Sequence, residues 1–304
     1  MKVLIVARYK ENGFAPFVTE QVAALEGVGV ECRMFPVKSN NYLRYYPELK
    51  RTIRSFRPDI VHAHYGLCGL LANLQRSVPV VTTYHGSDIN DPKVRRLSKW
   101  AIQFSAYNVF VSQRNIDLAR PKKNFALIPC GINLADFPII DKNEARKEIG
   151  LVQGGRYVLF AGAFDNPIKN ASLAQAAVSQ LPGVQLLELK GYSKSQVALL
   201  MQAVDAMIMT SIAEGSPQVV KEAMACGCPI VSVNVGDVKE RVVGVEGCFV
   251  SNTYKPEDLA SLLDKALSFG MRTDGRNAII RDNLTGEAVA SRLKEVYNQV
   301  SSRK

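Results

Sequence analysis

The sequence predicts an α/β protein of two domains, each built on a parallel sheet with helices on both faces. Its 304 residues and 47% hydrophobic content are enough for two cores, and they exclude a disordered or collagen-like chain. Apolar runs of strand length alternate with helix-period segments, which is the pattern of βαβ units. Residues 130–155 interrupt this alternation with proline, glycine and a charged helical stretch, and we place the junction between the domains there.

The individual elements follow from the periodicity of the apolar residues. In the first half, the predicted strands are 2–7, 30–37, 59–64, 78–84, 108–112 and 125–129, and the predicted helices are 16–25 and 47–56. In the second half, the strands are 157–161, 184–189, 206–210 and 229–233, and the helices are 143–151, 171–181, 195–204, 217–225, a tail from 256, and 285–300. The expected domains are residues 1–137 and 138–284, two Rossmann-like folds facing a central cleft where ligands of such folds bind.

Charge and cysteine content narrow the class of protein. Residues 1–140 hold 19 Lys and Arg against 10 Asp and Glu, a net charge of +9, whereas residues 141–304 have a net charge of +1. A basic first half favours an anionic partner: nucleic acid, an acidic membrane surface or a phosphate-bearing substrate. Six cysteines without CxxC spacing are expected to be small buried apolar residues in a reducing compartment. Because no apolar run is long enough for a signal peptide or a spanning helix, we expect a soluble, cytoplasmic protein.

The densest motif is the run 210–227 (TSIAEGSPQVVKEAMACG), which directly follows an apolar strand. Ser216 suits the N-cap of a helix. A helix that begins at the carboxyl end of a strand offers N–H groups and a positive dipole end to a diphosphate, and Gly215 lets the backbone approach closely. Glu214 and Glu222 then flank the anion, and a partly buried Glu222 needs donors such as sugar hydroxyls. The alternative is a capped amphipathic helix with an ordinary exposed glutamate.

The same run resembles the E-x7-E signature of the retaining glycosyltransferases of family 4, which have the GT-B fold. The segment 222–231 (EAMACGCPIV) extends the match, and 235–241 (VGDVKER) resembles the bacterial exopolysaccharide and teichuronic-acid branch of that family. Shorter pieces match family landmarks in order along the chain, namely 59–64 (DIVHAH), 84–88 (YHGSD) and 129–133 (PCGIN).

The resemblance implies an enzyme whose first domain binds an acceptor and whose second domain binds a nucleotide-sugar donor. Residues 285–304 would form a helix that packs back on the first domain. Glu222 would hold the ribose hydroxyls, and Glu214 the hydroxyls of the donor sugar. The peptide groups implied to bind the diphosphate are those around Gly215, Ser216, Gln218 and Val219.

The loop after the first strand of the second domain (FAGAFDNPIKN) stands in the place of the family's donor-phosphate loop. It retains Gly162, but Ala163 occupies the usual arginine position and Lys169 comes one residue late. A fixed cation beside the leaving diphosphate stabilises the charge that grows as the glycosidic bond breaks, so Lys169 is the principal catalytic candidate. If Lys169 is only a solvated surface lysine, Arg156 or Lys190 would substitute for it.

Histidines supply a further candidate. The family places His85, at a strand end, near the reacting sugar, where its imidazole can hydrogen-bond a hydroxyl; a purely structural histidine is the alternative. His62 and His64 share a strand face at a spacing that could suit a metal, but no third ligand is nearby in the sequence. No DxD-type carboxylate pair precedes the donor site, so we expect a metal-independent reaction that needs no cofactor.

The opening loop 8–16 (RYKENGFAP) has one glycine where a dinucleotide fingerprint needs three, which disfavours NAD. The corresponding loop of the family contacts the acceptor, so Gly13 is the candidate acceptor-binding residue. Two basic stretches with aromatic residues favour docking on an anionic membrane surface, with solvated basic helices as an equal alternative. These stretches are 42–57 and the cluster Lys93, Arg95, Arg96, Lys99 and Trp100.

The resemblance therefore implies a retaining glycosyltransferase that moves a sugar from a nucleotide-sugar donor to a hydroxyl of a lipid-linked glycan in bacterial cell-surface polysaccharide synthesis, at the inner face of the membrane. Its catalytic candidates are Lys169, Glu214 and His85. The mechanism that the resemblance implies is front-face substitution, in which the leaving phosphate helps to deprotonate the acceptor; Glu214 as a nucleophile is the alternative. A nucleotide-sugar epimerase or hydrolase on the same fold, and a basic nucleic-acid-binding protein, are the rival classes.

Overall fold

The computed structural model describes residues 1–10 and 13–302, which form two compact α/β units. Unit 1 is Met1–Gly131 with Leu284–Lys304, and unit 2 is Ile132–Asn283. Residues 11 and 12 of the opening loop and the last two residues of the predicted 285–304 helix lie outside the described residues. Both units have a largely parallel sheet with helices around it, which confirms the predicted fold class.

The elements of the described residues are these. The strands are β1 (Lys2–Lys10), β2 (Gly13–Phe14), β3 (Glu31–Val37), β4 (Ile60–His64), β5 (Val80–Tyr84), β6 (Tyr107–Phe110), β7 (Phe125–Leu127), β8 (Arg156–Phe160), β9 (Val184–Glu188), β10 (Ala206–Met209), β11 (Ile230–Val233) and β12 (Phe249–Ser251). The α-helices are α1 (Pro16–Gly27), α2 (Tyr46–Phe56), α3 (Gly66–Asn73), α4 (Ser87–Asn90), α5 (Pro92–Phe104), α6 (Gln113–Ala119), α7 (Lys142–Ile149), α8 (Ala171–Val178), α9 (Lys194–Ala203), α10 (Gln218–Ala225), α11 (Val238–Val242), α12 (Pro256–Phe269), α13 (Gly275–Arg281) and α14 (Gly286–Ser301). Short 3₁₀ helices cover Tyr42–Tyr45, Leu134–Asp136 and Pro167–Lys169.

The sheet of unit 1 has the parallel strand order β3-β1-β4-β5-β6-β7, and β2 pairs antiparallel with the end of β1. Alternate residues of β1 serve two cores. Val3 and Ile5 pack with residues of α1 and α14, whereas Leu4 and Val6 pack with residues of α2 and α3. Because the chain leaves β1 for β3 on one side and returns to β4 on the other, the switch point where such folds bind ligands lies between β1 and β4.

The sheet of unit 2 is entirely parallel, in the order β12-β11-β10-β8-β9. Its switch point lies between the carboxyl ends of β8 and β10. The sequence predicts the junction after residue 137, whereas the compact unit begins at Ile132. The reason is local: Arg276 of α13 donates hydrogen bonds to the carbonyls of Leu134 and Phe137, at 3.1 and 2.7 Å, which holds this 3₁₀ segment on unit 2.

All six cysteines are free thiols. Among the described residues, no helix combines the length and the apolar character that crossing a bilayer requires.

Candidate functional site

The loops that follow β8 and β10 meet at the switch point of unit 2. The hydroxyl of Thr210 donates to the carbonyls of Lys169 and Asn170, at 2.9 and 2.8 Å. The Ile212 N–H donates to the carbonyl of Ile168 at 2.9 Å. These bonds fix the 3₁₀ turn that carries Lys169 against the segment that leads to Glu214.

Lys169 and Glu214 form an ion pair at this point. The Lys169 Nζ lies 2.7 Å from Glu214 Oε1, and the two side chains are only 22% and 16% exposed. Gly162 leaves room for the lysine stem, because a Cβ at position 162 would lie 2.8 Å from Lys169 Cγ. The structure thus brings three of the predicted site residues, Gly162, Lys169 and Glu214, together.

Helix α10 begins at Gln218, so the prediction that Ser216 is its N-cap is wrong. Pro217 holds the N-cap position, with no side-chain cap. The Ser216 hydroxyl has other partners: it donates to Asp237 Oδ2 at 2.7 Å and accepts from Lys221 Nζ at 3.2 Å. In the first turn, the Val220 N–H donates to the Pro217 carbonyl at 3.3 Å. As at any helix start, the first N–H groups have no carbonyl four residues earlier within the helix.

The remaining donor-site candidates lie on or beside α10. Gln218 and Glu222 are one turn apart on its half-buried face, and Val219 is also half-buried. Gly215, in the preceding turn, is closely packed by Gly236, which has φ +61°. A Cβ at position 236 would lie 2.7 Å from the Gly215 carbonyl oxygen, so glycine is required there for both conformation and space.

Sequence reasoning missed a buried charged cluster beneath this turn. Lys221 is fully buried and Asp237 is 3% exposed. The Arg241 Nε lies 3.2 Å from Asp237 Oδ2. Burial raises the pKa of Asp237, against the opposing effect of Lys221 and Arg241. The sequence feature that could have revealed this cluster is the position of Lys221 on the apolar face of the helix, among Val220, Ala223 and Met224.

Arg156 and Lys190, the two alternatives to Lys169, do not lie at this site. Arg156 begins β8, at the sheet edge opposite the carboxyl ends, and donates to the carbonyl of Pro182. Lys190 pairs with Asp165 at 2.6 Å on the exposed surface. Of Arg156, Lys169 and Lys190, it is Lys169 that lies beside Glu214.

Unit 1 has its own cavity, of about 1280 Å³, at its switch point. Gly13 lines it together with charged residues of both signs, namely Arg8, Lys10, Lys38, Asp88 and Asp91. Gly13 has φ +103°, a conformation that L side chains rarely adopt. The predicted acceptor-binding glycine therefore lies in a pocket lined by both cationic and acidic residues.

His85 follows β5 in unit 1. Its Nε2 lies 2.9 Å from His64 Nδ1, and its Nδ1 lies 3.6 Å from Cys130 Sγ. His62 bonds Tyr297 and Thr83 through its two ring nitrogens. Across the described part of the chain, no group of three or more His, Cys, Asp or Glu residues could hold a metal ion.

The two basic stretches differ in what their helices expose. Helix α2 turns Leu49, Ile53 and Phe56 into the core, so its outer face is cationic and polar. Helix α5 instead leaves Leu97, Trp100 and Phe104 exposed. The rings of Trp100 and Phe104 stack at 5.9 Å, beside the exposed cations Lys93, Arg96 and Lys99.

Two family models match the chain. Glycosyltransferase Family 4 matches residues 3–136, and Glycosyl transferases group 1 matches residues 151–268. The first match lies almost wholly within unit 1, and the second lies entirely within unit 2.

Curated relatives are similar to the chain at moderate identity. D-inositol 3-phosphate glycosyltransferase of Mycobacterium marinum is 27% identical over 261 residues, covering 69% of this chain and 55% of that protein. TuaC of Bacillus subtilis, a glycosyltransferase named for teichuronic acid biosynthesis, is 28% identical over 215 residues, covering 61% and 55%. N-acetyl-alpha-D-glucosaminyl L-malate synthase of Bacillus anthracis is 25% identical over 286 residues, covering 80% and 75%. The chain thus spans about half the length of the first two relatives.

Solved structures share the fold at lower identity. Sucrose-phosphate synthase of Thermosynechococcus elongatus aligns over 100% of both chains with a TM-score of 0.85 and 17% identity. Anabaena HepE in complex with UDP aligns over 98% of this chain and 100% of that one, with a TM-score of 0.79 and 16% identity. These likenesses identify the fold as GT-B.

Proposed function

Because this chain belongs to glycosyltransferase family 4, we propose that it is a retaining glycosyltransferase that uses a nucleotide-sugar donor. Its acceptor is a hydroxyl of a lipid-linked glycan, in the synthesis of bacterial cell-surface polysaccharide. TuaC is named for teichuronic acid biosynthesis, and HepE was solved with UDP and with UDP-glucose, which supports this choice of glycan and donor.

The observation that carries the proposal is the Lys169–Glu214 pair at 2.7 Å, next to the turn that starts α10. The proposed donor lies with its diphosphate on the N–H groups of that helix start. Glu222, one turn further on, accepts from the ribose hydroxyls, and Glu214 accepts from the sugar hydroxyls. An epimerase or hydrolase would use the same donor contacts but would form its product from the donor alone.

The proposed reaction is a front-face substitution. The bond from the sugar C1 to the diphosphate oxygen breaks as a bond from C1 to the acceptor oxygen forms on the same face. The acceptor proton passes to the leaving phosphate oxygen, and Lys169 stabilises the negative charge that grows there. No metal ion or cofactor takes part in the proposed step. A trapped glycosyl adduct on Glu214 would replace this mechanism with a double displacement.

Donor binding is expected to stabilise the protein against unfolding. A nucleotide sugar at one hundred times its Kd adds about 2.7 kcal/mol to the free energy of unfolding, so a panel including UDP-glucose and GDP-mannose will raise Tm for the true donor. Glu222→Gln removes the charge of the ribose-binding carboxylate and is expected to weaken donor binding about 10- to 100-fold. The measurement is thermal unfolding with and without each nucleotide sugar.

Glu246→Gln is the matched control, since Glu246 is exposed and is not part of α10. The Glu246→Gln variant should show the same rise in Tm with nucleotide sugar as the parent protein. Failure of every nucleotide sugar to raise Tm contradicts the proposal, as does stabilisation by RNA or DNA alone. A new sugar product in a reaction with donor but no acceptor would favour the epimerase or hydrolase.

We further propose that α5 docks unit 1 on an anionic membrane surface. Trp100 and Phe104 are 53% and 39% exposed, and Arg76 lies over the Phe104 ring at 4.6 Å. Aromatic rings flanked by cations suit the boundary between lipid headgroups and acyl chains, and each cation near such a surface adds about 1 kcal/mol. This surface would bring the enzyme to a lipid-linked acceptor.

Vesicle sedimentation tests this docking. Vesicles that contain phosphatidylglycerol should bind the protein, and raised salt should release it. The double variant Trp100→Ser/Phe104→Ser is expected to bind at least about tenfold more weakly, because its apolar area is lost. Val243→Ser, which changes an apolar residue of unit 2 that is 68% exposed, is the control and should bind normally. Equal binding by the double variant, or none by the parent at any salt, would contradict the docking.

A further inference from the structure

The three histidines of the chain lie together in unit 1. His62 and His64 project from the same face of β4, and His85 follows the neighbouring strand β5. The ring centroids are 4.8 Å apart from His62 to His64 and 5.1 Å apart from His64 to His85, with the rings nearly parallel. The row thus leads from the core to the candidate catalytic residue.

The innermost member, His62, is a structural residue. Its Nδ1 lies 2.6 Å from the Tyr297 hydroxyl on α14, and its Nε2 lies 2.7 Å from the Thr83 hydroxyl on β5. Both ring nitrogens therefore have partners, and His62 ties the C-terminal helix to the sheet. Nothing in this arrangement requires His62 to change its protonation state.

His64 differs because only one of its nitrogens has a hydrogen-bond partner within the described chain. Its Nδ1 lies 2.9 Å from His85 Nε2, and its fully buried Nε2 has none. Burial lowers the pKa of His64 to about 3, so at neutral pH the ring carries a single proton. A buried N–H without an acceptor is rarer in proteins than a buried acceptor without a donor. The proton of His64 is therefore placed on Nδ1, where it is donated to His85 Nε2.

This direction of donation determines the state of His85. A neutral imidazole that accepts at Nε2 carries its proton on Nδ1. We propose that His64 is a positioning residue, which fixes His85 in the Nδ1–H tautomer so that His85 donates a hydrogen bond to a substrate oxygen. This inference rests on the proposed glycosyl transfer. The Nδ1 now faces a thiol sulfur at 3.6 Å, and a sugar or phosphate oxygen is a stronger acceptor than that sulfur.

Further contacts hold the backbone and the ring of His85 in place. The Asp88 carboxylate accepts from the backbone N–H groups of His85 and Gly86, at 3.0 and 3.1 Å. Phe17 and Tyr65 contact the His85 ring, at centroid distances of 4.5 and 4.8 Å. Neither contact involves a ring nitrogen. The His85 Nε2 lies 2.9 Å from His64 Nδ1, a shorter contact than the 3.6 Å from His85 Nδ1 to Cys130 Sγ, and the inferred tautomer rests on that shorter contact.

Nitrogen NMR of the histidine rings tests the tautomers without any substrate. Because the chain has three histidines, three ring systems appear, and single variants identify each. We expect both His64 and His85 to carry the proton on Nδ1 and to have an unprotonated Nε2. A proton on Nε2 of His85 in the parent protein would overturn the proposal. This result does not depend on whether the protein transfers a sugar.

Variants test the effect on transfer. His64→Asn places an amide N–H near the position of Nδ1 and should keep both the tautomer of His85 and the activity. His64→Leu removes the donor, so His85 is expected to shift toward Nε2–H and kcat to fall about tenfold at little-changed donor KM. In the His85→Ala background, His64→Leu should have no further effect, because the two residues act as a unit.

Unchanged signals from His62 and an unchanged Tm establish that the variants are folded. If His64→Leu alters the tautomer of His85 but leaves kcat at the parent value, the positioning role is wrong although the glycosyltransferase proposal stands. If no donor and acceptor pair gives transfer, the proposed function fails, and the NMR result still decides the tautomer.

Discussion

Replacement of Lys169 by alanine is expected to lower kcat for sugar transfer by about 10²- to 10³-fold, the usual effect of removing one preorganised group that stabilises transition-state charge. The donor KM should change much less, because the charge that Lys169 meets grows as the glycosidic bond breaks. The measurement is steady-state transfer with the donor found by thermal unfolding.

The size of this effect depends on how firmly the lysine is held. Its backbone carbonyl accepts from Thr210, its stem passes Gly162, and its Nζ contacts Glu214 at 2.7 Å. A cation fixed before the reaction needs no reorganisation when the leaving group departs. Such restraint is absent from an ordinary surface lysine.

Lys190→Ala is the matched control for Lys169→Ala. Lys190 follows β9 in the same unit and also pairs with a carboxylate, but it is 53% exposed and its partner Asp165 is 70% exposed. Its removal should leave kcat within about twofold of the parent, since exposed ion pairs contribute little. Equal losses in both variants, or a kcat for Lys169→Ala close to the parent value, would remove Lys169 from the mechanism.

The strands were predictable because a parallel sheet covered on both faces requires continuous apolar runs. The predicted strand 59–64, for instance, is found as Ile60–His64. The strands β2 and β12 escaped prediction because two or three residues are too few to show a period. Helix starts were harder to predict, as Ser216 shows. Its hydroxyl donates a hydrogen bond to Asp237, 21 residues away in the sequence, and does not cap the helix.

The candidate site was predictable where its chemistry lies in one segment and less so where it depends on contacts between segments. Glu214 and Glu222 stand in a single motif, and their positions around α10 follow from helix geometry. The contact between His64 and His85 depends on the register of β4 and β5, in which His64 pairs with Thr83. No local pattern gives that register, so the pairing of the two histidines became apparent only in three dimensions.

Lys221→Met is expected to lower the free energy of unfolding by about 3 kcal/mol at neutral pH. Breaking a buried ionic cluster by removing one partner typically has this effect, because the remaining charge stays desolvated. Lys221 is fully buried and donates to Ser216, which in turn donates to Asp237. Chemical denaturation at constant pH measures the loss. Lys239→Met, an exposed change on neighbouring α11, should shift stability by less than about 0.5 kcal/mol.

The pH dependence of the Lys221→Met effect identifies its cause. The folded pKa of Asp237 is already raised above its unfolded value by burial, so the folded state binds this proton more tightly. The contribution of Asp237 to the free energy of unfolding therefore declines as the pH rises from the pKa of Asp237 in the unfolded state through its pKa in the folded state. Without Lys221 the folded pKa rises further, which extends the decline toward neutral pH. The deficit of Lys221→Met should consequently be larger at pH 7.5 than at pH 5.

A second substitution separates lost charge pairing from lost packing. With Asp237→Asn already present, no carboxylate remains at position 237 to be left uncompensated, so Lys221→Met should then be at least about 1 kcal/mol less destabilising than in the parent. Its effect in that background should also lose most of its pH dependence. An equal, pH-independent loss in both backgrounds would mean that the lysine stem, and not its charge, supports the turn from Glu214 to Gln218.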